Sequence, residues 1–177
     1  MTDWSQIVQD HGPMVWRIVR RLVNNDADAA DCFQRTFMSA LELSRIEAIR
    51  NWPGLLKRLA TARALDCLRQ RQREWNRWTA LRERLPIDRK TIEPLLAAEA
   101  HELADHLRQA LSELDDRQAQ VFCLACLEGW SYQEIAGQLE LNVNHVGVLL
   151  NRARTILQEK LRAFAPAAVR RQREEQS

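Results

Sequence analysis

Three groups of residues have types and spacings that chemistry could use. Cys123 and Cys126 lie in "CLAC", the Cys-x-x-Cys spacing that serves redox or metal chemistry. A metal site of that type needs a second pair of ligands, which the sequence does not offer. The surrounding stretch, "QAQVFCLACLEG", has helical patterning, which makes the two cysteines small core residues one turn apart. With Cys32 and Cys67 they fit a reducing compartment. His101 and His106 fall on different helix faces, so no metal site forms there. No nucleophile–base pair emerges either. The chain is expected to be neither an enzyme nor a cofactor carrier; an enzyme built on Cys123 and Cys126 would need a bound metal or a reactive thiol.

The third group is basic. Net charge over the 177 residues is only +2, but its distribution is uneven. Residues 1–44 hold 4 basic and 6 acidic residues, residues 45–90 hold 13 and 5, and residues 91–177 hold 9 and 13. Positive charge gathered in the middle of a chain is the electrostatic footprint of a polyanion partner. Arg50, Lys57, Arg58, Arg63, Arg69, Arg71 and Arg73 carry most of it around one segment. Asp66 is placed to pair with a cation one helical turn away.

The elements that must position these residues are helical. Hydrophobic residues make up 46% of the chain, and glycine and proline number five each, a balance that favours helices over strands. Alternating strand patterns are absent, so the fold is expected to be all-α. No apolar run approaches membrane-spanning length and no signal pattern opens the chain, which predicts a cytoplasmic protein without membrane insertion.

Ile7, Val8, His11, Val15, Ile18, Val19 and Leu22 form a stripe on a first helix over 3–23. A second helix, capped by Asp26 or Asp28, continues through Phe33, Phe37, Met38 and Leu41. A third starts near Trp52-Pro53 and runs to about Arg73 through Leu55, Leu56, Leu59, Ala62, Leu65 and Leu68. Two prolines and weak periodicity then suggest a linker with some helical content. Trp75 and Trp78 fall within it and could pack back on the first domain. Helical periodicity resumes at Glu99. The expected division is an N-terminal helical domain over 1–74, a linker over 75–98, a helix-turn-helix domain over 99–165 and a polar tail over 166–177.

"SYQEIAGQLELNVNHVGVLLNRAR" describes two short helices around a tight turn. Ser131 and Glu134 match a capping box, Ala136 is small enough for a close helix crossing, and Asn142 suits an N-cap. Val146, Leu150, Ala153, Leu157 and Leu161 form the inward stripe of the last helix. Asn144, His145, Val148, Asn151, Arg152 and Arg154 lie outside it, as a DNA-reading face requires. An ordinary helical hairpin in a core is the alternative. Val148 and Leu149 fit three roles: contact with thymine methyls, burial against a neighbouring helix, or a protein-binding patch.

Taken with their order, these segments resemble the extracytoplasmic-function (ECF) sigma factors of the sigma-70 family. "DHGPMVWRIVRRLVNNDADAADCFQRTFMSAL" is similar to the helices that grip polymerase, and "WPGLLKRLATARALDCLRQRQRE" to the helix that melts and reads the minus-ten element. The segment from "LSELDDRQAQ" to "LQEKL" resembles the module that reads the minus-thirty-five element. The resemblance implies that Asp28, Asp31, Gln34 and Phe37 bind the β′ clamp helices of core RNA polymerase, with the β subunit as a further contact. It implies that Arg50, Trp52, Lys57, Arg58, Arg63, Arg69, Arg71 and Arg73 serve the melted minus-ten strand. An exposed aromatic such as Trp52 could hold an unstacked base there. The helix-turn-helix would dock duplex DNA through Asn144, His145, Val148, Asn151, Arg152 and Arg154. An anti-sigma protein is a further implied partner.

The chain departs from the family pattern at Arg35, where an acidic residue is common, at Ala62 in place of Asn, and at Leu55 in place of Trp. Gly147, Val148 and Leu149 stand where the family has Lys, Ser and Arg. A helix-turn-helix regulator acting without polymerase is the alternative function.

Overall fold

A computed structural model describes residues 3–82 and 98–162, and every regular element in them is helical. Helix α1 spans Trp4–Val23, α2 Asp26–Ile46 and α3 Trp52–Arg82. Helix α4 spans Ala98–Ser112, α5 Asp116–Phe122, α6 Tyr132–Leu139 and α7 Val143–Leu161. Local sequence sets each boundary. Asp3 caps α1 by accepting from the Gln6 N–H, and Asn24 ends it in the left-handed conformation. The α2 cap is Asn25, whose Oδ1 accepts from the Asp28 N–H at 3.0 Å. Asp26 and Asp28, the residues expected to cap, instead occupy the first turn, where their charges complement the helix dipole. Asn51 accepts from the Gly54 N–H at 2.9 Å at the start of α3. A Cβ on Gly54 would meet that Asn51 side chain at 2.7 Å, so a larger residue there would push the capping side chain aside.

The first three helices close on Val15, Ile18, Val19 and Leu22 from α1, Ala29, Thr36 and Phe37 from α2, and Leu56, Ala60, Ala64 and Leu65 from α3. Thr36 is buried but satisfied, its hydroxyl donating to the Cys32 carbonyl at 2.7 Å. Helix α3 runs nine residues past the expected end at Arg73, so Trp75 and Trp78 are helical. They do not pack back on the first domain: they are 67% and 72% exposed. The remaining linker residues, 83–97, and the tail from 163 lie outside the described residues.

The C-terminal half contains two kinds of contact. Val121, Leu124, Ile135, Ala136, Leu139, Val146, Leu149 and Leu150 form a small core of their own under the helix-turn-helix. Ala110, Leu111, Leu114, Ala119, Cys123, Ala153 and Leu157 instead join the apolar cluster of α1–α3. The two halves therefore share one continuous core. Polar contacts reinforce the seam: the Arg108 Nε donates to the Leu22 carbonyl at 2.9 Å, and Arg21 pairs with Glu128.

Between α5 and α6 the chain makes a π-turn over Cys123–Leu127. Such a turn carries one extra residue, and it swings the following chain out toward Gly129, which has φ +71°. Cys123 is buried as expected, but Cys126 is exposed and is no core residue. Among the described residues no group of three or more His, Cys, Asp or Glu is placed to hold a metal ion, and no helix is long and apolar enough to cross a membrane.

Candidate nucleic-acid and partner interfaces

The face of α2 begins at its capped N-terminus. Asp28 is half-buried and paired with Arg71 on α3. Asp31 is exposed and paired with Arg35 at 2.9 Å, one turn along. Gln34, one turn from Asp31, also faces solvent. Phe37 does not: it is buried, with its ring 5.0 Å from that of Phe33. It holds the helix in place and offers a partner no surface.

The basic residues on α3 and just before it divide three ways. Arg50 and Arg73 are exposed. Arg63 reaches Ser39 Oγ at 2.9 Å and Asp66 at 3.4 Å, while Arg71 is held by Asp28. Lys57, Arg58 and Arg69 are only partly exposed. The Lys57 Nζ lies 6.0 Å from the centre of the Trp130 ring, a cation–π contact from the C-terminal half. Arg69 is 16% exposed and bridges Asp66 at 3.6 Å and Asp116 at 3.0 Å. Trp52 corrects the expectation of a free aromatic: it is half-buried and meets the Trp4 ring edge to face at 5.3 Å. The openly exposed rings of this region are Trp75 and Trp78.

The helix-turn-helix is built as its sequence indicates. The Ser131 hydroxyl accepts from the Glu134 N–H at 3.3 Å, and the Glu134 carboxylate takes the Ser131 N–H at 2.8 Å. The Ser131 backbone N–H, above all, and the Ser131 hydroxyl, which donates to the same carboxylate at 2.8 Å, hold Glu134 below the usual carboxylate range. Glu140 ends α6 with φ 54°, and Asn142 caps α7 by accepting from the Asn144 N–H at 2.8 Å. Asn144, His145, Val148, Asn151, Arg152 and Arg154 are all exposed on α7. Arg154 also approaches Cys126 Sγ at 3.7 Å. Val148 is 46% exposed, but Leu149 is 6% exposed and belongs to the helix-turn-helix core. Gly147 sits against Tyr132, whose ring a Cβ would touch at 3.5 Å.

Sequence reasoning missed Asp116 and Trp130, the residues that cover α3. Neither lies on a periodic stripe, and their roles depend on a fold-back no local pattern records.

These features define an all-helical protein with a capped helix-turn-helix beside a second, basic helical module. Known proteins narrow the class. The family Sigma-70 region 2 matches residues 7–74, and Sigma-70, region 4 matches residues 105–157. The chain is 31% identical over 129 residues to the RNA polymerase sigma factor CarQ of Myxococcus xanthus, covering 71% of this chain and 70% of that protein. It is 30% identical over 164 residues to the ECF RNA polymerase sigma factor SigE of Mycolicibacterium smegmatis, covering 91% of this chain and 62% of SigE. The chain thus belongs to the sigma-70 family, in its ECF group. In fold it is similar to the sigma factor RpoE of Bartonella quintana, solved in complex with the anti-sigma factor NepR, with a TM-score of 0.52 and 21% identity over 92% of this chain and 98% of that one.

Proposed function

We propose that the chain binds core RNA polymerase and directs promoter recognition and melting at the start of transcription. The carrying observation is that the two sigma-70 regions occur in order on one chain, each over its own helical module. Asp28, Asp31 and Gln34 on α2 supply a polar face for the β′ clamp helices, supported from within by Phe37. Charged rims of this kind give orientation and on-rate more than raw affinity. The α3 cations follow the melted minus-ten strand through its phosphates, and α7 reads duplex DNA upstream. Arg152 and Arg154 take phosphates or a guanine edge, while Val148 offers an apolar contact to a thymine methyl.

The packing of the two halves adds a step. Asp116 and Trp130 occupy Arg69 and Lys57, cations this reading assigns to the strand, whereas the α7 face is open. Two further Arg69 nitrogens, Nε and Nη2, are buried without a hydrogen-bond partner in the structure. Separation of the halves would let phosphate oxygens satisfy them, so promoter binding favours an open form. A protein of the anti-sigma kind would act by holding the closed one, as a partner of this chain.

Co-elution with core polymerase tests the reading. Replacing the exposed Asp31 and Gln34 together by Ala should abolish co-elution while leaving the melting temperature nearly unchanged. Unaltered co-elution would remove α2 from the polymerase interface. A wild-type chain that binds promoter duplex and never co-elutes with polymerase would support a free-standing regulator instead.

A further inference from the structure

Helices α2 and α3 pack against each other, and Ala29, Ala60 and Ala64 are buried small residues on them. Two thiols in that seam are used by neither interface. Cys32 is buried, and its Sγ lies 3.5 Å from the Arg63 carbonyl oxygen. Helical geometry points the Cys67 N–H at that same carbonyl, four residues back. The Cys32 sulfur therefore sits beside the Cys67 main chain. Both line a cleft of about 160 Å³ whose other walls include Asp28, Asp31, Arg63 and Arg71. A cleft of that size admits a peroxide.

We propose that Cys32 and Cys67 form a redox modification site, which a hydroperoxide converts to a disulfide tying α2 to α3 beneath the polymerase-facing surface. The Cys67 thiolate attacks one peroxide oxygen; an S–O bond forms, the O–O bond breaks, and the leaving hydroxide takes a proton and departs as water. The Cys32 sulfur then attacks the Cys67 sulfenic acid; the S–S bond forms, the S–O bond breaks, and the Cys32 proton leaves in a second water. Two thiols and one hydrogen peroxide give one disulfide and two waters, with two electrons passing from sulfur to oxygen. A dithiol reductant reverses the change.

The surroundings assign the two roles. The neighbouring Cys32 and the Arg71 charge lower the Cys67 pKa, whereas the neighbouring Cys67 and burial push Cys32 well up. Cys67 is also the less buried of the two. Asp28, paired with Arg71, lines the same cleft, so a disulfide there changes the setting of that carboxylate. The effect on polymerase binding rests on the assignment of Asp28 to the clamp interface; the thiol chemistry does not.

The reduced full-length chain should be treated with hydrogen peroxide, alkylated after unfolding, digested and mapped by mass spectrometry. A reversible Cys32–Cys67 disulfide is expected, with Cys123 still alkylatable. The oxidised chain should bind core polymerase about fivefold more weakly, on the scale of one exposed ion pair, and dithiothreitol should restore it. Cys67→Ser should be insensitive to peroxide. Cys32 and Cys67 both remaining alkylatable while Cys126 is consumed would overturn the site. Equal polymerase affinity before and after disulfide formation would overturn its link to the interface. A reduced chain that never binds polymerase would refute the promoter reading instead, and the thiol map would still decide the chemistry.

Discussion

Val148 and Leu149 are neighbours in α7 but differ in burial, Val148 exposed and Leu149 buried. The structure divides the apolar run Gly147-Val148-Leu149-Leu150: Leu149 and Leu150 are core, Gly147 lies against Tyr132, and Val148 faces outward. Leu149→Ala should therefore cost about 2–5 kcal/mol of stability, the usual range for a buried leucine. Val148→Ala should stay within about 0.5 kcal/mol and weaken binding to upstream duplex. Chemical denaturation beside a duplex-binding titration reads both; the reverse pattern would exchange their roles. Leu150 was legible from the three–four stripe. Leu149 was not, because α7 packs against α5 as well as α6, and two partners widen the buried face beyond one stripe. Trp52 was misread for a similar reason: its partner Trp4 lies 48 positions away in the chain.

At the scale of elements, local chemistry was the legible part. The Ser131–Glu134 capping box and the Asn142 cap follow from residue type and offset alone. The end of α3 did not. Its last turns are Arg, Glu, Trp, Asn and Thr without a buried stripe, so periodicity fades although the helix continues. The α2 cap fell to Asn25 because cap choice depends on where the preceding turn places its side chain. The capping box also sets a pH response. The Glu134 pKa is lowered in the fold, so its contribution is present above the unfolded-state value and is lost as pH falls through the folded value. Protection from amide exchange across 131–139 should therefore fall selectively as pH drops below about 4.3, the unfolded carboxylate value. Glu134→Gln should remove that selective change; an unchanged response would place its origin elsewhere.

At the scale of the whole molecule, the halves share a core that neither half's sequence declares. The cluster joins Val15 and Leu65 to Leu111 and Leu157, and Arg69 to Asp116 closes the polar edge. Fold class and the order of the modules were legible from helical stripes and the charge excess over 45–90; their packing was not, since it depends on pairs far apart in sequence. Asp116 is largely exposed, so its pair with Arg69 is worth at most about 1 kcal/mol. Asp116→Asn should accordingly favour the open form by up to about fivefold, with a larger radius of gyration by X-ray scattering and tighter binding of single-stranded minus-ten DNA. An unchanged radius with unchanged strand binding would mean that the pair does not restrain the halves. The central claim is that this chain makes polymerase start at promoters. Run-off transcription with core RNA polymerase on a library of fragments from the encoding genome tests it most directly. The account predicts discrete start sites that require the chain and disappear with the Asp31/Gln34 double substitution; no initiation on any fragment, with polymerase that responds to a control sigma factor, would contradict it.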